Sequence, residues 1–253
     1  MTKRPTTAFP VLQPNLQISF YHRLHTLRNS YLQEALSETV RKLDMSRLDA
    51  ELSSFVGRAS LAKVASYGLR GELFFPVPYL LIARPSLLGF YRLLYGLSQK
   101  EFYRNRQIAP FKHLEERNEL TPLLSSKLGD LCKCIVGAGE ALVEGIDELS
   151  LQTVRDLQIL TLGAQLRGDQ NTAVGRNATA EVFRLVEALV HDSVVEETTR
   201  KLVLKNAAGR RVVVAFASDP DIAITEELAS GPRGVVSIEI KGGTDVSNIH
   251  NRI

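Results

Sequence analysis

The sequence lacks the residues needed for covalent or zinc-linked stabilisation, and it has no apolar run long enough to cross a membrane. Its two cysteines, Cys132 and Cys134, lie too close for a relaxed disulfide in regular structure, and no other cysteine could complete a zinc site. The longest apolar run, residues 73–83, contains two prolines and is shorter than the ~20 residues of a spanning helix. No long apolar core follows the basic residues near the amino end, as a signal peptide would require. These absences predict a reduced, cytoplasmic protein with no membrane segment.

The charge balance is nearly even, so charge alone does not indicate a partner. Lys and Arg number 31 against 28 Asp and Glu, which gives a net charge of +3 at pH 7. This balance is compatible with nucleic-acid binding if the basic residues gather on one face, but it does not argue strongly for it. The 253 residues, 44% of them hydrophobic, can bury a sizeable core as one large domain or as two unequal lobes.

The first two-thirds of the chain has the apolar spacing of helices. Over residues 18–44 the apolar positions recur every three or four residues, which predicts one long amphipathic helix. Ser98 and Glu101 fit a capping box at the start of a later helix. Residues 1–165 are therefore expected to form a helical scaffold.

A polar stretch at residues 166–171 predicts a loop ahead of a helix over residues 177–190. Arg167 and Asn171 in this loop have side chains suited to bidentate contacts with guanine and adenine edges. An ordinary connecting loop of the same composition is the alternative. Glu181 lies in the first turn of the predicted helix, where the helix dipole alone would favour a carboxylate.

Two β-branched runs near the carboxyl end carry a spaced set of charged residues. Residues 198–206 and 211–217 are typical of a β-hairpin, and Pro220-Asp221 follows its second strand. Residues 235–238 predict a neighbouring strand that leads into Glu239-Ile240-Lys241. Because alternate residues of a strand point to one face, Glu239 and Lys241 share a face that Asp221 can reach.

These three residues can form a metal-dependent hydrolytic site. Asp221 and Glu239 are hard oxygen ligands of the kind that Mg²⁺ prefers, and Lys241 can orient a water or neutralise charge on a phosphate. The alternative is that Glu239 and Lys241 are exposed positions of an amphipathic strand. Asp219 is expected to be a turn or supporting residue because Asp221, not Asp219, follows the proline. After Lys241, the side chains of Asn248, His250 and Arg252 can bind phosphates or base edges.

The spacing of Pro220-Asp221 and Glu239-Ile240-Lys241 resembles the active site of PD-(D/E)XK nucleases. The wider sequence resembles one branch of them, the XcyI/XmaI-type type II restriction endonucleases. The matching stretches are LRGELFFPVP (69–78), LLGFYRLLYGLSQKEFY (87–103), QLRGDQNTAVGRNATAEVF (165–183), SDPDIAI (218–224) and IEIKGGTDVSNIHNRI (238–253). These stretches lie over most of the chain, which makes the resemblance more specific than the short motif.

The resemblance implies an α/β protein that is mostly helical in its first two-thirds. Residues 1–165 would also contact DNA, and residues 166–253 would form a catalytic core with a mixed β-sheet. It implies Mg²⁺-dependent hydrolysis of double-stranded DNA at a palindromic GC-rich site such as CCCGGG, carried out by a homodimer. Asp221 and Glu239 would hold the metal with Glu181 as a third carboxylate, and Lys241 would assist the attacking water.

The family pattern continues beyond Ile253 into a helix and a further strand, so the resemblance also implies a catalytic core that is cut short. Two other functions therefore stay open. One is a remnant that binds DNA without cutting it, and the other is a repair or recombination nuclease that shares only the motif.

Overall fold

The structure, a computed structural model, describes residues 14–241. The chain divides into two compact units, with the division between Leu166 and Arg167. Within the described residues no helix combines the length and the apolar character that crossing a membrane requires.

Helices occupy most of residues 14–190. The α-helices of the described residues are α1 Asn15–Tyr31, α2 Gln33–Val40, α3 Met45–Phe55, α4 Arg58–Ser66, α5 Pro78–Ala83, α6 Leu88–Leu94, α7 Gln99–Phe102, α8 Lys112–Arg117, α9 Pro122–Ser125, α10 Leu128–Gly145 and α11 Leu151–Val190. Single 3-10 turns cover Gly71–Leu73, Pro85–Leu87, Ala109–Phe111 and His191–Ser193. The capping box at Ser98 is confirmed, since its side chain accepts from the Glu101 amide and Glu101 accepts from the Ser98 amide.

The single helix predicted over residues 18–44 is wrong in one respect, because Leu32 divides it into α1 and α2. Leu32 has an extended backbone, with φ −97° and ψ −161°. The break lets Tyr31 and Leu32 enter one apolar cluster while Ala35 and Leu36 enter another. A straight helix presents one continuous apolar stripe, so burial in two clusters favours the bend.

The first unit contains a charged group at the centre of its core. Arg92 on α6 and Glu115 on α8 have side chains that are 0% and 1% exposed, with 2.6 Å between Arg92 Nη2 and Glu115 Oε1. Arg92 Nε also donates to Glu115 Oε2 at 2.8 Å. Gln99 and the Tyr103 hydroxyl donate to the same carboxylate at 2.9 and 2.8 Å. All of these polar groups are therefore satisfied inside the fold, as buried charges require.

Two glycines of α10 differ sharply in their surroundings, which gives a testable prediction about packing. A Cβ on Gly139 would lie 2.8 Å from both the Phe74 carbonyl oxygen and the Tyr95 hydroxyl, which hydrogen-bond to each other, whereas a Cβ on Gly137 would meet open space. We expect Gly139→Ala to lower the free energy of unfolding by about 1–3 kcal/mol through overpacking. Gly137→Ala should raise it by about 0.5–1 kcal/mol, since alanine favours the helix.

Urea denaturation of the two glycine variants beside the wild type measures this difference. Equal effects of the two substitutions would contradict the close packing of α10 at Gly139.

The second unit is a five-stranded sheet with the second half of α11 against it. Its strands are β1 Val194–Thr198, β2 Lys201–Lys205, β3 Arg211–Phe216, β4 Ile222–Leu228 and β5 Gly231–Ile238, in the spatial order β1-β2-β3-β4-β5. The predicted fold class is confirmed, with helices first and a sheet after them. A mixed sheet was expected, but every strand pair within residues 14–241 is antiparallel.

The predicted loop at residues 166–171 is wrong, because α11 continues through it without a break. All residues from 167 to 172 are exposed, so the helix shows no apolar periodicity there. Thr172 Oγ1 donates to the Gly168 carbonyl at 3.0 Å within the helix. One glycine costs about 1 kcal/mol in a helix interior, and extending an existing helix avoids the cost of a new nucleus.

The apolar core of the second unit fixes α11 onto one face of the sheet. Phe183 on α11 stacks on Phe216 of β3 with ring centroids 4.3 Å apart. The buried residues of this core also include Leu202, Leu204, Val212, Val214 and Ile222. Leu202 and Leu204 alternate along β2, as Val212 and Val214 do along β3, so these side chains share one face of the sheet.

Candidate active site

The structure brings Asp221, Glu239 and Lys241 to one end of the sheet. Asp221 directly precedes β4, and Glu239 directly follows β5. These strands are antiparallel neighbours in which Ile222 pairs with Ile238, so the start of β4 lies beside the end of β5. Asp221 Oδ2 accepts a hydrogen bond from the Ile240 amide at 2.8 Å. The Asp221 carboxylate is therefore held against the backbone between Glu239 and Lys241.

Glu239 and Lys241 form an ion pair at the edge of this region. The Lys241 ammonium donates to Glu239 Oε1, and the two side chains are 42% and 43% exposed. Ile238 and Ile240, which alternate with them, pack against the apolar core of the sheet. The pattern of residues 238–241 thus anchors the chain through its isoleucines and leaves the charged pair accessible to water.

The strand that brings Asp221 to this end was not identified from the sequence. Residues 212–216 and 235–238 were expected to lie on neighbouring strands, but β4 lies between β3 and β5. The hairpin of β2 and β3 is confirmed in its core, with Lys205 paired to Arg211. Asp221 lies in the β3–β4 turn. It is therefore β4, and not β3 as expected, that brings Asp221 next to Glu239 and Lys241.

A cavity of about 340 Å³ opens beside Asp221 within the second unit. Its lining combines residues of α11, the β1–β2 turn and the ends of β3 and β5: Gly175, Arg176, Thr179, Ala180, Arg200, Phe216, Ala217, Asp221 and Ile240. The lining contains one carboxylate and two guanidinium groups. No local sequence pattern distinguishes Arg176 or Arg200 from the other arginines, so neither was predicted as a site residue.

Glu181 is not gathered with the other two candidate metal ligands. Its carboxylate is exposed on α11 and pairs with Arg184 Nη2 at 3.0 Å. Among residues 14–241 no group of three or more His, Cys, Asp or Glu side chains lies close enough to hold a metal ion. A third carboxylate is not required for Mg²⁺, which proteins commonly bind through one or two carboxylates with water and substrate phosphate.

Asp221 and Glu239 fit a small divalent cation by their chemistry. Both offer carboxylate oxygens, and the hydrogen bond from Ile240 engages only Oδ2 of Asp221. The other oxygen of Asp221 has no hydrogen-bond partner within the described part of the chain, so it can accept a ligand.

The candidate DNA-reading residues fall into two groups. Arg167 and Asn171 are exposed on α11, and their spacing of four residues places them on one face of the helix. Asn248, His250 and Arg252 lie outside the described residues.

A second charge cluster lies further along β4 and is satisfied within the protein. Glu226 is buried and accepts from Asn206 at 2.8 Å, from Arg210 at 3.2 Å and from Arg233 at 2.6 Å. Burial opposes ionisation of Glu226, but the hydrogen bonds from Arg210 and Asn206 and the charge of Arg233 outweigh it, so its pKa lies below the ordinary value. Since its partners are all internal, this cluster supports the sheet.

Comparison with known proteins gives close matches in sequence. The sequence profile of a family described as XcyI restriction endonuclease matches residues 21–253. The type II restriction enzyme Cfr9I of Citrobacter freundii is 43% identical over 247 residues, which cover 95% of this chain and 75% of that protein. The type II restriction enzyme XcyI of Xanthomonas campestris pv. cyanopsidis is 45% identical over 246 residues, which cover 95% of this chain and 74% of that protein. No solved structure matches.

Proposed function

This chain belongs to the XcyI restriction endonuclease family, and we propose that it hydrolyses double-stranded DNA at a palindromic GC-rich site such as CCCGGG with Mg²⁺ as cofactor. The resemblance found in the sequence is confirmed at the level of the family. One structural observation carries the proposal. Asp221 comes from the β3–β4 turn, Glu239 and Lys241 follow β5, and the three lie where the start of β4 meets the end of β5.

Each of the three residues has a role that its surroundings support. Asp221 and Glu239 would hold the divalent cation, with the Ile240 amide fixing the orientation of Asp221. A cation bound there withdraws charge from the phosphoryl oxygens of the substrate. Glu181 remains a candidate third ligand, although its exposed pair with Arg184 leaves it outside this group.

Lys241 is the group suited to orient the attacking water by a hydrogen bond. In the hydrolysis, a water oxygen would bond to phosphorus on the side opposite the leaving oxygen as the phosphoester bond breaks. The water would lose a proton to solvent, and the leaving oxygen would take one up. The Lys241 ammonium can donate to that water or to a phosphate oxygen, where it offsets the negative charge that develops. Its ion pair with Glu239 keeps it beside the metal-binding carboxylates.

The proposal assigns DNA recognition to other parts of the chain. Arg167 and Asn171 would contact base edges, and Asn248, His250 and Arg252 would contact phosphates or bases. Residues 1–165 would act as scaffold and DNA-contacting region, and residues 166–253 as the catalytic core. A palindromic site has two equivalent half-sites, so a symmetric homodimer can present one active site to each strand. With this function the enzyme would act in the cytoplasm, as the sequence predicts.

Plasmid digestion tests the proposed function. We expect the wild-type chain with Mg²⁺ to convert a plasmid with one CCCGGG site into a single linear product. The matched control is the same plasmid with that site changed to a scrambled hexamer, which should stay uncut.

Other outcomes of the digestion would identify the two alternatives. Binding to the duplex in a gel-shift assay without any cutting would favour a DNA-binding remnant. Cutting of branched or damaged DNA, with no preference for CCCGGG, would favour a repair nuclease.

A further inference from the structure

Two arginines line the Asp221 cavity, and both have side chains without partners in the described chain. Arg176 comes from α11, and Arg200 comes from the turn between β1 and β2. Neither guanidinium forms a hydrogen bond or ion pair with another group of residues 14–241. By contrast, Arg210 and Arg233 of the same unit each pair with Glu226. The charges of Arg176 and Arg200 are therefore available to an anion that enters the cavity.

The backbone fixes Arg200 and Asp221 relative to each other. The Arg200 carbonyl accepts from the Phe216 amide at 3.2 Å, and the Asp221 carbonyl accepts from the Ala217 amide at 3.0 Å. Phe216 and Ala217 are consecutive, so the end of β3 joins the turn of Arg200 to the turn of Asp221. Two backbone hydrogen bonds from consecutive residues therefore link the turn of Arg200 to the turn of the candidate metal ligand.

The position of Arg176 depends on the packing of α11 against the sheet. Phe183, two turns further along α11, stacks on Phe216 at 4.3 Å between ring centroids. The residues of α11 that face the cavity are otherwise small, namely Gly175, Thr179 and Ala180. These small side chains leave room for a ligand group between the helix and Asp221.

We propose that Arg176 and Arg200 together bind one backbone phosphate of the DNA strand that is cut at Asp221, and so fix the strand for hydrolysis. This inference rests on the proposed function. The guanidinium group donates through a planar fork that matches phosphate oxygens, and charge-assisted bonds of this kind are stronger than neutral ones. Asp221 attracts the cation, while the two arginines repel it and hold the anion. The cavity thus contains adjacent places for the two charged components of the reaction.

The test compares Arg176→Gln and Arg200→Gln with Arg184→Gln. Arg184 lies on α11 like Arg176, but it pairs with Glu181 and does not line the cavity. We expect each cavity variant to cut a CCCGGG duplex about 10- to 100-fold more slowly in single turnover, as for the loss of a hydrogen bond to a charged group. Binding measured with EDTA should depend less on salt, with the slope of log K against log salt reduced by about one. Arg184→Gln should match the wild type in both measurements.

A substrate change makes the test specific for one phosphate. Methylphosphonates, which are uncharged, are placed singly at each position near the cut. At one position, the methylphosphonate should lower the cleavage rate of the wild type by the same factor as the arginine substitutions do. At that position it should not lower the rates of the arginine variants any further. The inference would be overturned if the rate losses from methylphosphonate and from arginine substitution multiplied at every position. It would also be overturned if the cavity variants behaved like Arg184→Gln. If the wild type does not cut DNA, the proposed function fails, while the salt slope still decides whether these arginines contact phosphate.

Discussion

Asp221→Asn is expected to lower the single-turnover rate of DNA cleavage by about 10³-fold or more, because metal-assisted charge stabilisation contributes several kcal/mol. The substitution keeps the shape of the side chain, and its amide oxygen can still accept from the Ile240 amide, as Asp221 Oδ2 does at 2.8 Å. What it removes is the negative charge that would hold the cation. Duplex binding and the unfolding curve should therefore stay close to those of the wild type.

Asp219→Asn is the matched control for this prediction. Asp219 precedes the same proline and is exposed, but it does not line the cavity that contains Asp221. The cleavage rate of Asp219→Asn should stay near that of the wild type when both are measured on one labelled duplex. A large loss in Asp219→Asn with little loss in Asp221→Asn would show that the metal ligand had been assigned to the wrong residue.

Glu115→Gln should produce the largest loss of stability, about 3–5 kcal/mol, because it leaves the buried Arg92 without a counter-charge. The Glu115 carboxylate accepts from two nitrogens of Arg92, from Gln99 and from the Tyr103 hydroxyl. Glutamine offers one oxygen in place of two, and its NH₂ group would face donors. Urea denaturation followed by circular dichroism measures the loss.

The adjacent residue provides the control, since Glu116→Gln removes the same charge at the surface. Glu116 pairs with Lys112 at 2.9 Å, and both side chains are about 40% exposed. Exposed pairs of this kind contribute about 0–1 kcal/mol. A similar small effect for both variants would contradict a buried, charge-balanced core.

The Glu115 effect also has a defined pH dependence. Burial disfavours the charged carboxylate, but hydrogen bonds and charge from Arg92 and hydrogen bonds from Gln99 and Tyr103 outweigh burial, so the folded pKa of Glu115 is lowered. A lowered folded pKa gives stability that is fully present above the unfolded pKa of about 4.3 and is lost as pH falls through the folded value. The difference in unfolding free energy between wild type and Glu115→Gln should therefore shrink in acid.

Local patterns predicted the parts of the fold that depend on local interactions. The capping box of Ser98 and Glu101 needs only residues of one turn, and the structure shows both of its hydrogen bonds. The hairpin of β2 and β3 likewise follows from apolar runs on either side of a glycine-containing turn. Such interactions are visible in sequence because the partners are only a few residues apart.

β4 escaped prediction because it depends on partners that are distant in sequence. Its sequence, IAITEEL, places Glu226 in a buried position, which is unfavourable for an isolated strand. Asn206, Arg210 and Arg233 make the position stable by satisfying the carboxylate. β5 begins with Gly231-Pro232, and the proline is tolerated there because β5 is an edge strand of the described sheet.

Some residues of the candidate site were predicted from the sequence, and others were found only in the structure. The motif and the family resemblance predicted Asp221, Glu239 and Lys241, and the structure brings their parts of the chain together. Arg176 and Arg200 became candidates only when α11 and the β1–β2 turn were seen to line one cavity. Base-edge contacts by Arg167 and Asn171 stay a prediction, since these residues lie on the exposed surface of a helix where a loop was expected.

A metal-dependent cleavage site at Asp221 can be tested with an end-labelled CCCGGG duplex. The wild-type chain is assayed with Mg²⁺ and with EDTA, and Asp221→Asn is assayed beside it. We expect one cut in each strand at symmetric positions with Mg²⁺, none with EDTA, and none from Asp221→Asn on the same timescale. Equal cutting with EDTA, or full activity of Asp221→Asn, would contradict a metal-dependent site where the start of β4 meets the end of β5.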